Sequence, residues 1–273
     1  MTKNGGTTGV ALIISLWISI CILLSPVAAF GQETQRLVPE HAFEMGVNVS
    51  YIEYEEEIEV EWDGVMYGVT AGYTYHNGLM LNTGVEYMYG ELEYDGRTQG
   101  GTPLEEDAQD WILEWRGLAG CDFTARGYLI TPFVGIGYRY WNDDVEGPGS
   151  YQREVAYLYS PIGIQTVSPV SAGWTLGITA EYDLFWRGKV KSHLSEAVAG
   201  YNDPENDQDS GYGLRLSFSF RNRDGLYIQP YASYWEIDRS DLATLTQFGI
   251  PVGYAYEPEN DTTTYGIRVG WKF

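Results

Sequence analysis

The chain has 273 residues, with 38 acidic against 16 basic side chains (formal charge -22), 15% aromatic residues, 33 glycines and 11 prolines. So aromatic and patterned a sequence excludes a disordered chain, and so acidic a surface repels phosphate and argues against nucleic acid as a partner. Two cysteines exclude a disulfide scaffold and a cysteine-rich zinc site.

The first element is an uncharged apolar run over residues 8–24, preceded by Lys3. Ser25–Gly31 then supplies a proline and small residues, with Val27/Ala29 and Ala29/Gly31 as A-x-A-like cleavage sites. Residues 1–31 therefore read as a secretory signal peptide and 32–273 as the mature domain. The alternative is a retained anchor, since the run is nearly long enough to span a bilayer. Ile20 precedes Cys21, where a lipoprotein signal wants a small residue. Removal of 1–31 takes out Lys3 and no acid, leaving 38 acidic against 15 basic residues, a net charge of -23. One cysteine then remains, Cys121, which alone cannot close an internal disulfide. It falls on the apolar face of a strand and reads as a small lipid-facing or buried residue.

Beyond the signal, apolar residues recur with a period of two. The first alternating segment sets Phe43, Met45, Val47, Val49 and Tyr51 against Glu44, Gly46, Asn48 and Ser50. Others follow over 65–74, 79–89, 111–116, 132–140, 152–166, 174–186, 212–220, 226–234 and 265–273. The faces of the sixth, 152–166, cannot be assigned from the sequence. The segments approach the roughly 9–11 residues that a tilted strand needs to cross a bilayer. Their second face is rich in Gly, Ser and Thr, which suits the crowded interior of a narrow membrane barrel, and aromatics collect at the segment ends as an interfacial girdle does.

The connections alternate in length. Asn77-Gly78, 124–127, 168–173 and 222–225 are short; 55–63, 93–108, 142–151, 188–209 and 239–261 are longer and polar. The fold class expected is all-β: a transmembrane antiparallel up-and-down β-barrel of ten strands, or of eight or twelve if the sixth segment is misread. Short turns and both termini would face the periplasm and the long loops the outside of the cell. The last strand carries Tyr265, Trp271 and the terminal Phe273. That ending resembles the assembly signal of Gram-negative outer-membrane proteins, which implies the barrel assembly machinery as a partner.

By parity, Glu44, Glu86, Glu114, Asp122, Glu181 and Asp183 point inward, with Arg116, Arg139, Arg187, Arg215, Arg268 and Lys272. A near-neutral charged lumen reads either as a lined narrow pore or as a plug of ion pairs, and ten strands make a barrel far narrower than the porins.

Ten strands with long outer loops resemble the omptin family of outer-membrane proteases, in topology and segment spacing across residues 43–273. The resemblance implies a water activated between two acids on one side of the mouth and an Asp-x-His pair on the other. Here His193 has Lys191 two residues before it, and Glu91 and Glu93 have the spacing of an acid pair but continue the outward face. A Ser–His hydrolase finds no triad either, because His41 and His76 fall at the periplasmic end and Ser192 adjoins His193. All three histidines read as interfacial or loop residues.

Glu53–Asp63 holds seven acids and no base. The spacing of Asp203, Glu205, Asp207 and Asp209 suggests weak divalent-cation ligands, without the glycine and closing glutamate of an EF-hand. Such loops otherwise stay hydrophilic by their charge alone. The expectation is a monomeric, non-enzymatic outer-membrane barrel without cofactor. It would display acidic loops for envelope integrity, adhesion or ligand capture, with divalent cations able to bridge them to lipopolysaccharide phosphates. A narrow channel and an omptin-like protease are the alternatives.

Overall fold

The computed structural model describes residues 37–57, 60–97, 103–171 and 173–273. Residues 1–36, on which the expected signal peptide and its cleavage site fall, lie outside the described residues. The alternation leaves the chain one way to segregate its side chains, which is to run as strands. These are β1 (His41–Glu56), β2 (Val60–His76), β3 (Leu79–Arg97), β4 (Pro103–Cys121), β5 (Phe123–Ala125), β6 (Tyr128–Val145), β7 (Gln152–Ser171) and β8 (Trp174–Ser192). A four-residue helix α1 (Leu194–Ala197) follows, then β9 (Glu205–Gln208), β10 (Gly211–Asn222), β11 (Leu226–Ile237), β12 (Ala243–Gln247), β13 (Ile250–Ala255) and β14 (Asn260–Lys272).

Ten of these strands form one closed antiparallel ring, in the order β1-β2-β3-β4-β6-β7-β8-β10-β11-β14. The ring closes where β14 pairs with β1, Val269 opposite Val47. All ten alternating segments are ring strands. β5 continues the wall past Asp122, β9 extends it above β10 along β8, and β12–β13 is a separate hairpin. The short turns, the start of β1 and the end of β14 share one end, the turn end; the longer connections share the other, the loop end. At the turn end the β2–β3 hairpin turns through Asn77-Gly78-Leu79, one residue longer than the two-residue loop its sequence announces, because His76 pairs with Met80; Gly78 takes φ 76° at the centre.

β7 explains why its faces were unreadable. Its inward residues include Val155, Tyr157 and Tyr159, all buried, while Leu158, Ile162 and Ile164 lie on the opposite parity. Both faces are apolar, so the period of two disappears. The first two long connections are mostly strand, because β1 runs to Glu56, β2 starts at Val60, and β3 and β4 approach each other at Arg97 and Pro103.

The outer wall carries a continuous apolar belt; Met45, Tyr67 and Tyr265 are 63%, 64% and 56% exposed. An apolar surface of that extent is covered by lipid, not water. Above it, toward the loop end, the polarity inverts. Glu55, Glu61, Glu91 and Glu93 are exposed on the outside, while Ile52, Tyr54, Trp62 and Leu92 turn inward and are buried. There the wall is built as a water-soluble barrel is.

One position departs from the expected parity. In the β7·β8 ladder Leu158 faces Arg187 and Tyr159 faces Phe185, leaving Trp186 as a bulge. The extra residue reverses the faces beyond it. Arg187, expected in the lumen, is exposed on the outer wall with Lys189, whereas Gly188 and Val190 point inward.

Cys121, at the end of β4, is buried as expected.

Candidate functional site

The barrel interior is stacked in three levels. The middle level is ionic. Arg215 on β10 donates to Glu114 at 2.8 and 2.5 Å and to Asp183 at 2.6 Å. Arg116 donates to Glu181 at 2.5 Å. Arg268 makes a bidentate pair with Glu86, both bonds at 2.8 Å, and lies over the Tyr231 ring at 3.7 Å. Lys272 meets Glu44 at 2.5 Å nearer the turn end. Arg139 is buried opposite Glu114 in the β4·β6 register, its guanidinium 5.7 Å from the Trp141 ring centre. Of the charged residues expected in the lumen, Arg187 alone points out of it. Asp122 sits at the turn end, where His76 is 2.9 Å from it and Thr131 donates to it at 2.7 Å. His76 is thus an interior residue and not an interfacial one. His41 does lie outside, 2.7 Å from the Tyr73 hydroxyl.

Toward the loop end the lumen is filled by apolar and aromatic side chains. Met66, Met88, Ile112, Phe185 and Trp235 are buried in one cluster with Tyr157 and Tyr159. Tyr159 packs edge-on against Trp235 at 5.0 Å and donates to Glu114 at 2.5 Å, joining this level to the ionic one. Gly137 makes room for it, since a Cβ there would stand 2.2 Å from the Tyr159 ring.

Above the cluster, Arg153 of β7 ties the loop end together. It donates to Asp143 at 2.7 Å, to Glu56 at 3.0 Å and to Glu257 at 3.0 Å, and lies over the rings of Tyr54 and Trp62 at 5.3 and 4.6 Å. Ser192 donates to the other oxygen of Glu257 at 3.1 Å. Burial pushes the Glu56 and Asp143 carboxyls up, against the Arg153 charge that holds them down. The sequence missed this cluster because Arg153 lies on the strand without readable faces and Glu56, Asp143 and Glu257 lay in supposed loops. The one available signal was the inward parity of Ile52 and Tyr54, which Glu56 continues.

The polar carboxylates expected to gather a cation are dispersed. Asp203 accepts from the Ser195 amide at 3.0 Å and lies 3.7 Å from His193. Glu205 and Asp207 flank Lys189 at 2.8 and 3.9 Å, and Asp209 is exposed past the end of β9. Among the described residues, Glu53, Glu55 and Glu61 bring ligating oxygens within 4.8 Å of one another on the outer wall.

The omptin-type constellation is not assembled. Glu91 and Glu93 stand outward on β3, and His193 follows β8, with β4, β6 and β7 between them. His193 is 2.8 Å from Glu154, which also accepts from the Tyr140 hydroxyl at 2.6 Å. These bonds, Tyr140 first and His193 second, hold the Glu154 carboxyl below the usual range.

Between the ionic level and the turn end lies a cavity of about 260 Å³, lined by Thr70, Thr74, Gln165, Ser217, Ser219 and Gln229 among others.

No protein-family model and no curated protein matches the sequence. Among solved structures the chain is similar to the outer-membrane protease OmpT from Escherichia coli, with a TM-score of 0.54 and 8% identity over 90% of this chain and 99% of that one. The translocator domain of the autotransporter NalP from Neisseria meningitidis gives a TM-score of 0.42 at 12% identity over 100% of each chain. An outer-membrane channel from Pseudomonas putida F1 gives 0.42 at 9% identity, over 90% of this chain and all of the other. The likeness to OmpT shows the fold alone, and that fold is the closed antiparallel barrel of bacterial outer-membrane proteins.

Proposed function

We propose that this protein is a non-conducting, non-enzymatic outer-membrane barrel whose role is to present a rigid acidic rim at the cell surface, for envelope integrity, adhesion or ligand capture. The observation that carries this reading is the blocked lumen. Ion pairs reaching from β10 to β4 fill its middle, and the aromatic cluster around Tyr159 and Trp235 fills the half above. A packed interior of that kind leaves no aqueous path. Function then belongs to the loop end, which presents the acidic outer face of β1 to β4. The long loops are taken to face outward and the termini inward, with the ending at Tyr265, Trp271 and Phe273 read by the barrel assembly machinery. The protein acts as a monomer. Divalent cations at the rim carboxylates would bridge it to lipopolysaccharide phosphates.

The test is ion conductance of the folded barrel in a planar bilayer, with folding checked by heat-modifiable migration on an unboiled detergent gel. A closed, fully hydrogen-bonded barrel resists unfolding and shifts on boiling. The expected record is silent. Discrete, reproducible current steps would overturn the reading, and so would cleavage of peptides or lipid A by the purified protein.

A further inference from the structure

The cavity below the ionic level has a cover. Residues 37–39 precede β1 outside its ladder, and Pro39 has no amide hydrogen to donate; Glu40 still meets His76, its opposite residue in the β1·β2 register. This short segment crosses the mouth of the barrel. At one side the Glu40 carbonyl accepts from the His76 amide at 2.8 Å, and the Glu40 carboxylate accepts from Asn77 at 3.3 Å, both at the β2–β3 turn. At the other, Arg221 near the end of β10 donates to the Leu37 carbonyl at 2.6 Å. β1, β14 and β11 stand between these two anchor points in the ring, and Val38 and Pro39 face the lumen cavity, which places the segment over the opening. Val38 and Pro39 line the cavity from that side, and Arg221 lines it as well.

We propose that residues 37–40 are a strap that closes the turn-end mouth of the lumen cavity, with the Arg221 guanidinium as its latch. The fastening is asymmetric. The Glu40 end is continuous with β1 and carries two hydrogen bonds to the β2–β3 turn, whereas among the described residues the Leu37 end is held by one charge-assisted bond. A charged donor to a carbonyl is among the stronger single hydrogen bonds, yet it is one bond and breaks without disturbing any strand pair. The strap therefore opens by swinging about residue 40, and the cavity admits solutes from the turn end when it does. The loop end stays shut, because the ionic level and the aromatic cluster do not depend on the strap. The cavity is a dead-end chamber with a latch and not half of a channel.

Ser219 lines the chamber from β10, and a cysteine there reports its accessibility. In the protein extracted folded from membranes, with Cys121→Ala so that the introduced cysteine is the sole labelling target, the labelling rate of Ser219→Cys by a small charged thiol reagent would be measured. Three forms are compared: the otherwise unaltered chain, Arg221→Gln, and a chain with residues 37–40 deleted. The rate is expected to rise about tenfold in Arg221→Gln, the equivalent of about 1.4 kcal/mol, and at least as much in the deletion, with heat-modifiable migration retained. Unchanged labelling in the deletion overturns the strap. A rate raised by the deletion but not by Arg221→Gln overturns the latch. If Arg221→Gln fails to fold, the deletion carries the test, because it removes no strand residue.

Discussion

Arg215 and Glu114 are 101 residues apart in sequence and stand on β10 and β4, with β6, β7 and β8 between them, yet two hydrogen bonds of 2.8 and 2.5 Å join them across the lumen. Asp183 and the Tyr159 hydroxyl complete the surroundings of the same guanidinium, at 2.6 and 3.2 Å. The pair braces opposite walls of the barrel. It also decides the character of the lumen, because the charged side chains of its wall meet in its middle.

Removing one partner of this brace should be far more damaging than replacing both. Arg215→Met leaves Glu114 and Asp183 buried without their cation, which costs about 3–5 kcal/mol. Urea unfolding followed by loss of the heat-modifiable band should show a clear drop in midpoint. Arg187→Met, on the outer wall beyond the Trp186 bulge, should leave the midpoint unchanged. Equal losses in the two variants would mean that the bulge and the parity reversal are wrong.

The Arg153 cluster holds strand ends and the segment before β14 to one point. Arg153→Met should free Glu257 and loosen residues 238–259 while the belt stays folded. Limited proteolysis should then cut within that segment in the variant and spare the unaltered chain, and unfolding should begin about 3 kcal/mol or more earlier on the free-energy scale. Cleavage at the same rate in both would assign the order of this segment to something other than Arg153.

Glu154 should make part of the loop-end order depend on acid. Its carboxyl is held below the usual value by Tyr140 and His193, so its contribution is complete above the ordinary glutamate range, near 4.3. It is lost as pH falls through the lower folded value. The stability difference between the unaltered chain and Glu154→Gln should be present at pH 7 and vanish in strong acid. A difference independent of pH would remove charge from the explanation.

Gly137 is where the wall yields to the aromatic plug. Gly137→Ala drives a methyl into the Tyr159 ring, 2.2 Å from its outer carbon. Overpacking of this kind costs about 1–3 kcal/mol. In a Tyr159→Leu background, which removes the ring, the added cost of Gly137→Ala should fall away. A penalty that persists there would place the strain elsewhere.

The amino-acid sequence by itself carried the ten ring strands, their order, the place of the turn at Asn77-Gly78 and the lipid-facing residues. Each of these is encoded locally: a bilayer demands one apolar face, and a period of two writes that face into neighbouring residues. The inversion above the belt was written there too, in Ile52 before the acids of 53–63 and in Tyr54 and Trp62 among them, although the charge run concealed it. Only the tertiary structure decided what meets inside. Whether Arg215 reaches Glu114, Arg153 reaches Glu257 or Arg221 reaches Leu37 depends on the stagger of strands around a closed ring. One unpaired residue, Trp186, was enough to move Arg187 from the lumen to the outer wall. Alternation assigns a face to each residue of a strand; closure of the ring sets the height at which residues on opposite walls come together, and no local pattern carries that information.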